Sequence, residues 1–266
     1  MLTSAGLGLI VGIILALTGA GGGILAVPLL LFGVGLNVAE AGPIGLLAVG
    51  AAAALGAAFG LQARIVRYRA AVFMAGAGAF LSPIGVWLAH RIDNHWLSII
   101  FAIVLLFVAF KTFRQAKNQK GDEGTRLGDV PPCLRDADSG RFVWTTPCAR
   151  ALALSGAVAG LLSGLLGVGG GFVMVPALHR YTDLPTKSVV ATSLTVTAIL
   201  SIAGVLPNAL SGNLNWGIAL PFSAGALSGM LGGRLISSRL AGPQLQRGFA
   251  VLSALVAVAM IVRSVL

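Results

Sequence analysis

"GAGGGILAVP" occupies Gly19 to Pro28, and "GVGGGFVMVP" occupies Gly167 to Pro176. Each sets a cluster of glycines against a strongly apolar run and closes on proline. Glycine is about 1 kcal/mol less favourable than alanine in a helix interior, so three in succession predict a break in an otherwise helical segment. Two breaks written alike in one chain decide how the rest is read.

The surroundings show what kind of helix is broken. The chain has 266 residues, 57% of them hydrophobic and 10% charged, where a soluble domain carries roughly 25% charged residues. Apolar blocks run at about 2–18, 24–36, 40–62, 70–89 and 95–113, and again at about 149–166, 172–180, 187–209, 216–237 and 243–265. Several approach the ~20 residues that span a hydrocarbon core. The blocks are continuous rather than alternating, which argues against a membrane barrel. The predicted fold class is therefore an all-α polytopic membrane protein with about 8–10 membrane segments. Residues 114–148 are polar, mixed in charge and rich in Gly and Pro, and read as a linker. The expected organisation is a first transmembrane repeat at 1–113, the linker at 114–148 and a second repeat at 149–266.

The two repeats are related at an offset of 148 residues, the separation of Pro28 from Pro176. At that offset Gly21, Gly22 and Gly23 fall on Gly169, Gly170 and Gly171, Gly8 and Gly12 on Gly156 and Gly160, Leu46 on Leu194, Gly56 on Gly204 and Gly85 on Gly233. No gap is needed through the fourth block, so this is an internal duplication.

The basic residues set the expected orientation. The net charge of +10 lies largely in connections: Arg64, Arg67 and Arg69, then Lys111, Arg114, Lys117 and Lys120, then Arg180 and Lys187, then Arg239 and Arg247. Placing all of these, and the linker, in the cytoplasm requires each repeat to cross an odd number of times, which inverts the second repeat relative to the first. Arg91 alone falls on the other side. The segments around each glycine cluster are either two short crossings or a re-entrant pair of half-helices. The N-terminus has no basic n-region and reads as a membrane segment rather than a cleaved signal. The inner (plasma) membrane is the expected location. Nucleic-acid binding is not expected, because no aromatic-interleaved basic patch occurs.

A broken helix inside a bilayer is tolerated where protein or a water-filled cavity covers it. The first amides of the next half-helix lack intrahelical partners and carry partial positive charge, and glycine lets a ligand approach them. Gly21, Gly22, Gly23, Gly169, Gly170 and Gly171 are thus candidate anion-binding residues. The bland alternative is close helix packing, which most other glycines here serve. In "VVATSLTVTAILS", 189–201, hydroxyls enter an apolar helix. Most are expected to bond their own i−4 carbonyl. Thr192 and Ser193 are the better candidates for the ligand. Their counterparts in the first repeat are Ile44 and Gly45, so hydroxyl recognition is asymmetric.

Ionisable residues within the blocks are few. Glu40 and Asp183 lie near block edges, and Arg234 is placed to snorkel. The absence of a carboxylate chain fits an anionic cargo. Catalysis is not expected: Ser163 lacks a well-placed histidine base, and the glycine clusters lack the G-K-[ST] of a P-loop. No cofactor or metal is expected. Cys133 and Cys148 have no partner at metal-ligand spacing and read as two loop thiols.

The duplicated "GAGGGILAVPLLL" and "GVGGGFVMVPAL", the "VVATSL" run and the terminal "GALSGMLGGRLISSRL" with "QRGFAVLSALVAVAMIV" resemble the TauE/SafE family, transporters of the sulfite exporter or toluene-sulfonate uptake type. The resemblance covers nearly the whole chain outside the linker. It implies a secondary transporter of sulfite, an organosulfonate or a related sulfur-containing anion, working by alternating access among membrane lipids. It leaves open the direction and any coupling ion such as a proton. The chain departs from the family pattern at Gly42 to Leu46, where a second ATS-like run is often found. A membrane anion channel and a scaffold or sensor that moves no solute are the rival readings.

Overall fold

The computed structural model describes residues 2–19, 21–118, 132–133, 144–210, 212, 214–240 and 243–265. Ten helices follow in chain order: α1 (Leu2–Thr18), α2 (Gly21–Gly33), α3 (Val38–Gln62), α4 (Tyr68–Ala89), α5 (Asn94–Asn118), α6 (Thr146–Leu166), α7 (Gly171–Tyr181), α8 (Thr186–Leu210), α9 (Trp216–Leu240) and α10 (Pro243–Val265). The described residues contain no strand, only an isolated bridge between Cys133 and Thr182. By length and composition α3, α4, α6 and α8 can each cross a membrane. The apolar blocks match these helices to within a few residues. Helices α5 and α6 extend into the region assigned to the linker. Most of that linker, Lys120 with it, lies outside the described residues.

The duplication recurs in the packing. Helix α1 packs on α9 as α6 packs on α4, and α3 packs on α8, its own counterpart, as α5 does on α10. The agreement holds residue by residue. Gly8 and Gly12 lie against Phe222 and Ala226, and Gly156 and Gly160 lie against Met74 and Gly78. Each of these pairs is the other shifted by the same offset. At all four glycines a β-carbon would collide with a backbone carbonyl of the facing helix. Without a hydrophobic driving force between helices in lipid, such close backbone approach is what holds them together.

Helices α3 and α8 form the centre and run antiparallel. Gly56 meets Leu194 near one end of the crossing, and Gly204 meets Leu46 near the other. Their buried faces are mainly Ala, Gly, Val, Ser and Thr. At one end of the bundle, the Arg67 end, the amide of Arg67 reaches α8 at Thr192. At the other, the His90 end, the α3 amide of Ala39 faces Asn94 at the start of α5.

The two cysteines are not free thiols. Cys133 and Cys148 form a disulfide with Cα atoms 4.9 Å apart, and both are fully buried. Thr145 caps α6 through the amide of Cys148 and donates to the carbonyl of Pro132. Cys133 donates its amide to Tyr181 at the end of α7. The reading as loop thiols failed because it took the linker to be detached. A cap at the start of α6 and an edge contact on α7 bring the two residues together.

Candidate functional site

Each glycine cluster is the tip of a helical hairpin. Helix α1 stops at Thr18, and Gly19 turns the chain with φ 74°. Helix α2 then returns along α1: Gly22 abuts the Val11 carbonyl and Leu15, and Gly33 lies against Leu7. A β-carbon on Gly22 would lie 2.5 Å from that carbonyl oxygen, so no other residue fits unaltered. The second hairpin repeats the design. Helix α6 is closed by Gly167 at φ 72°, and Gly169 and Gly170 follow at φ 77° and 70°. Gly170 abuts Ala159 as Gly22 abuts Val11. The left-handed backbone at Gly19, Gly167, Gly169 and Gly170 leaves glycine as the residue without strain. Both segments are therefore helical hairpins.

The two tips meet. A β-carbon on Gly23 would lie 2.5 Å from the Val168 carbonyl oxygen and 3.2 Å from Val49. Gly169 stands beside Thr197, Ser201 and the same Val49, at 2.9, 3.3 and 3.4 Å on the same measure. Gly171 begins α7, no side chain caps that helix, and its N-cap Gly170 accepts only from Val173 and Met174 among the loop and cap bonds. Gly21 begins α2. The first-turn amides of two half-helices thus start within the core, close to one another.

Facing the tips is α8. Ser193, Thr197 and Ser201 recur every four residues and lie on one helical stripe. All three are at most 2% exposed, and among the described residues no hydrogen-bond partner meets any of their hydroxyls. Val190 on the same stripe covers Gly19. The stripe therefore passes from the first glycine turn, at Val190, to the second, at Thr197 and Ser201. An unsatisfied buried hydroxyl is worth about 1–3 kcal/mol of lost stability. Three in a row, next to the uncapped start of α7, make a set of hydrogen-bond donors.

Two other α8 hydroxyls are engaged. Thr195 donates to the Ala191 carbonyl at 2.9 Å, the local bond expected of most of them. Thr192 accepts from the Arg67 amide at 3.1 Å and so ties α8 to the start of α4. Thr197 and Ser201, which sequence reasoning assigned to local bonding, are the residues beside Gly169. The signal for them was available: they continue the four-residue spacing from Ser193. Their first-repeat counterparts, Val49 and Ala53, carry no hydroxyl, so the donor set is one-sided. The isolated charges are otherwise occupied: Glu40 accepts from the Asn37 amide at the start of α3, and the Arg234 guanidinium lies 3.9 Å from the Phe59 ring centroid. No cluster of His, Cys, Asp or Glu suited to a metal occurs among the described residues.

Comparison with known proteins covers nearly the whole chain. The family described as Sulfite exporter TauE/SafE matches residues 4–260. A protein of Xylella fastidiosa (strain Temecula1 / ATCC 700964), named "Probable membrane transporter protein", is 30% identical over 99% of this chain and 96% of its own length. "Probable membrane transporter protein YunE" of Bacillus subtilis (strain 168) is 27% identical over 88% of this chain and 87% of its own. No solved structure matches.

Proposed function

The chain belongs to the sulfite exporter TauE/SafE family of membrane transporters, and from that premise we propose that it is a secondary transporter of a sulfur oxyanion in the inner membrane. The cargo is sulfite, an organosulfonate or a close relative. The anion sits between the two hairpin tips. The α2 and α7 amides from Gly21 to Gly23 and from Gly169 to Gly171 stabilise its charge, and Ser193, Thr197 and Ser201 donate to its oxygens. Thr192 holds α4 against α8 beside them.

The single observation that carries this reading is the stripe of three buried, partnerless hydroxyls on α8, which meets Gly169 at Ser201 Oγ and the Thr197 methyl. A site of backbone amides and hydroxyls suits an oxyanion, because every group offered is a donor.

The repeats are inverted in the membrane, and access alternates by rocking of one repeat against the other. The antiparallel crossing of α3 with its counterpart α8 supports this arrangement, since equivalent helices of parallel repeats would point the same way. A scaffold would have no use for two helices broken at the same place, and a channel would not need a closed donor set.

The test is a thermal-shift screen of purified protein against sulfite, thiosulfate, sulfoacetate, taurine and sulfate, for wild type and Thr197→Val. At least one anion raises the melting temperature of wild type, and the shift shrinks in the variant. Equal shifts in both proteins would remove Thr197 from the site.

A further inference from the structure

Helix α4 starts on a residue that cannot cap it. The N-cap position belongs to Arg67, whose side chain makes no capping bond. The first intrahelical bond runs from the Ala71 amide to the Arg67 carbonyl, so the amides of Tyr68, Arg69 and Ala70 have no helical partner. An N-cap side chain normally supplies an oxygen to such amides. A guanidinium offers only donors, and here it is a cation set at the positive end of the helix. The internal duplication supplies the contrast. At the 148-residue offset Arg67 falls on Asn215. Asn215 directly precedes α9, and its Oδ1 accepts from the Gly217 amide at 3.1 Å. One repeat closes this position with an acceptor of its own, and the other places a cation there.

Arg67 is also held in place and partly sealed. Its amide donates to the fully buried Thr192. The preceding Val66 is buried and packs beside Gly60 of α3. Arg67 itself is half-buried. Its Nε is shut off from solvent and meets no hydrogen-bond partner among the described residues. Other arginines are placed differently. Arg91 and Arg234 lie over the Trp87 and Phe59 rings, and Arg64 and Arg69 are exposed. A buried donor without a partner is costly, and more so when it carries charge. The bare helix start and the unmet guanidinium are both answered by one ligand, an anion with several oxygens.

We propose that the start of α4 is a second oxyanion site, apart from the α8 hydroxyl stripe. The Arg67 guanidinium and the amides of Tyr68, Arg69 and Ala70 hold the anion, and Thr192 fixes the Arg67 backbone beneath it. Two sources carry this chemistry: a free anion such as sulfite or phosphate, and the phosphate of an anionic lipid at the Arg67 end. Neither source requires that the hairpin tips bind cargo.

The test is a set of thermal melts of delipidated full-length protein in mild detergent and phosphate-free buffer. The Thr197→Val/Ser201→Ala double variant, which lacks two of the stripe hydroxyls, is the background. It is compared with the same background carrying Arg67→Asn or Arg69→Gln. Sulfite, inorganic phosphate or short-chain phosphatidylglycerol is then added. Without additive, Arg67→Asn melts at a higher temperature than the background, because it restores the acceptor present at Asn215. At least one additive raises the melting temperature of the background. That rise is lost in Arg67→Asn and kept in Arg69→Gln. A response to sulfite or phosphate identifies a free anion, and a response to phosphatidylglycerol alone identifies a lipid headgroup. The proposal is overturned if no additive acts on the background, if Arg67→Asn responds as the background does, or if Arg69→Gln loses the response equally. A lower melting temperature of Arg67→Asn without additive also overturns it, since Arg67 would then be structural. If the hairpin reading alone fails, wild type and the double variant respond alike and the dependence on Arg67 remains.

Discussion

Thr197 and Ser201 are buried at a cost to the folded protein unless something meets their hydroxyls. Exchanging Thr197 for valine keeps the shape and removes a group without a partner. Thr197→Val is expected to be neutral or to stabilise the protein by up to about 1 kcal/mol, since the lost hydroxyl was unsatisfied, while weakening anion binding. Denaturation in mild detergent without ligand checks the first part, and a stability loss above that size would reveal a partner for Thr197 in the empty protein. Thr192→Val has the opposite signature. It removes the acceptor for the Arg67 amide and is expected to destabilise the protein by about 1 kcal/mol, with anion affinity little changed. Which hydroxyls lacked a partner was not legible in the sequence. Thr195 and Thr197 look alike there; the difference is that one faces its own helix's carbonyl and the other faces Gly169 across the core.

At the scale of elements, glycine spacing sets which helices touch. Gly160→Leu is expected to separate α6 from α4 and destabilise by at least about 1–3 kcal/mol, the usual penalty of overpacking. Gly232→Leu, at a glycine with open space around it, is expected to be tolerated. Thermal melts of the two variants in one detergent make the comparison. The disulfide ties the linker to the start of α6. In the chain-entropy view a loop of 15 residues closed by a disulfide is worth about 3 kcal/mol, so dithiothreitol or Cys148→Ser is expected to lower the melting temperature of oxidised protein. An unchanged melt would mean that the caps at Thr145 and Tyr181 hold this corner alone. The helices themselves were readable from block length and glycine breaks, because in lipid the backbone must satisfy itself. The disulfide was not, because the chain between Pro132 and Thr145 gives no pattern that announces a contact with α7.

Across the whole molecule the duplication is what makes the proposed site. Each hairpin alone presents one helix N-terminus, and packing α3 on α8 brings the two tips together. The repeat was visible from Pro28 and Pro176 onward, and the packing follows it from Gly8 and Phe222 to Gly156 and Met74. The asymmetry of the donor set was also visible, in Ile44 and Gly45 opposite Thr192 and Ser193. In the proposed orientation the Arg67 end faces the cytoplasm. Membrane-impermeant labelling of single cysteines introduced at 65 and 184 is expected to reach both from the cytoplasmic face. Labelling from opposite faces would undo the inverted arrangement. The central claim, a transported oxyanion held by α8 hydroxyls between two hairpin tips, is met most directly by sulfite flux into liposomes carrying wild type or the Thr197→Val/Ser201→Ala double variant. Saturable wild-type flux, accelerated by sulfite on the opposite side and reduced about tenfold or more in the double variant, a loss of about 1.4 kcal/mol or more, is the predicted result. Wild-type flux that is absent, or that is unaltered by losing both hydroxyls, would contradict it.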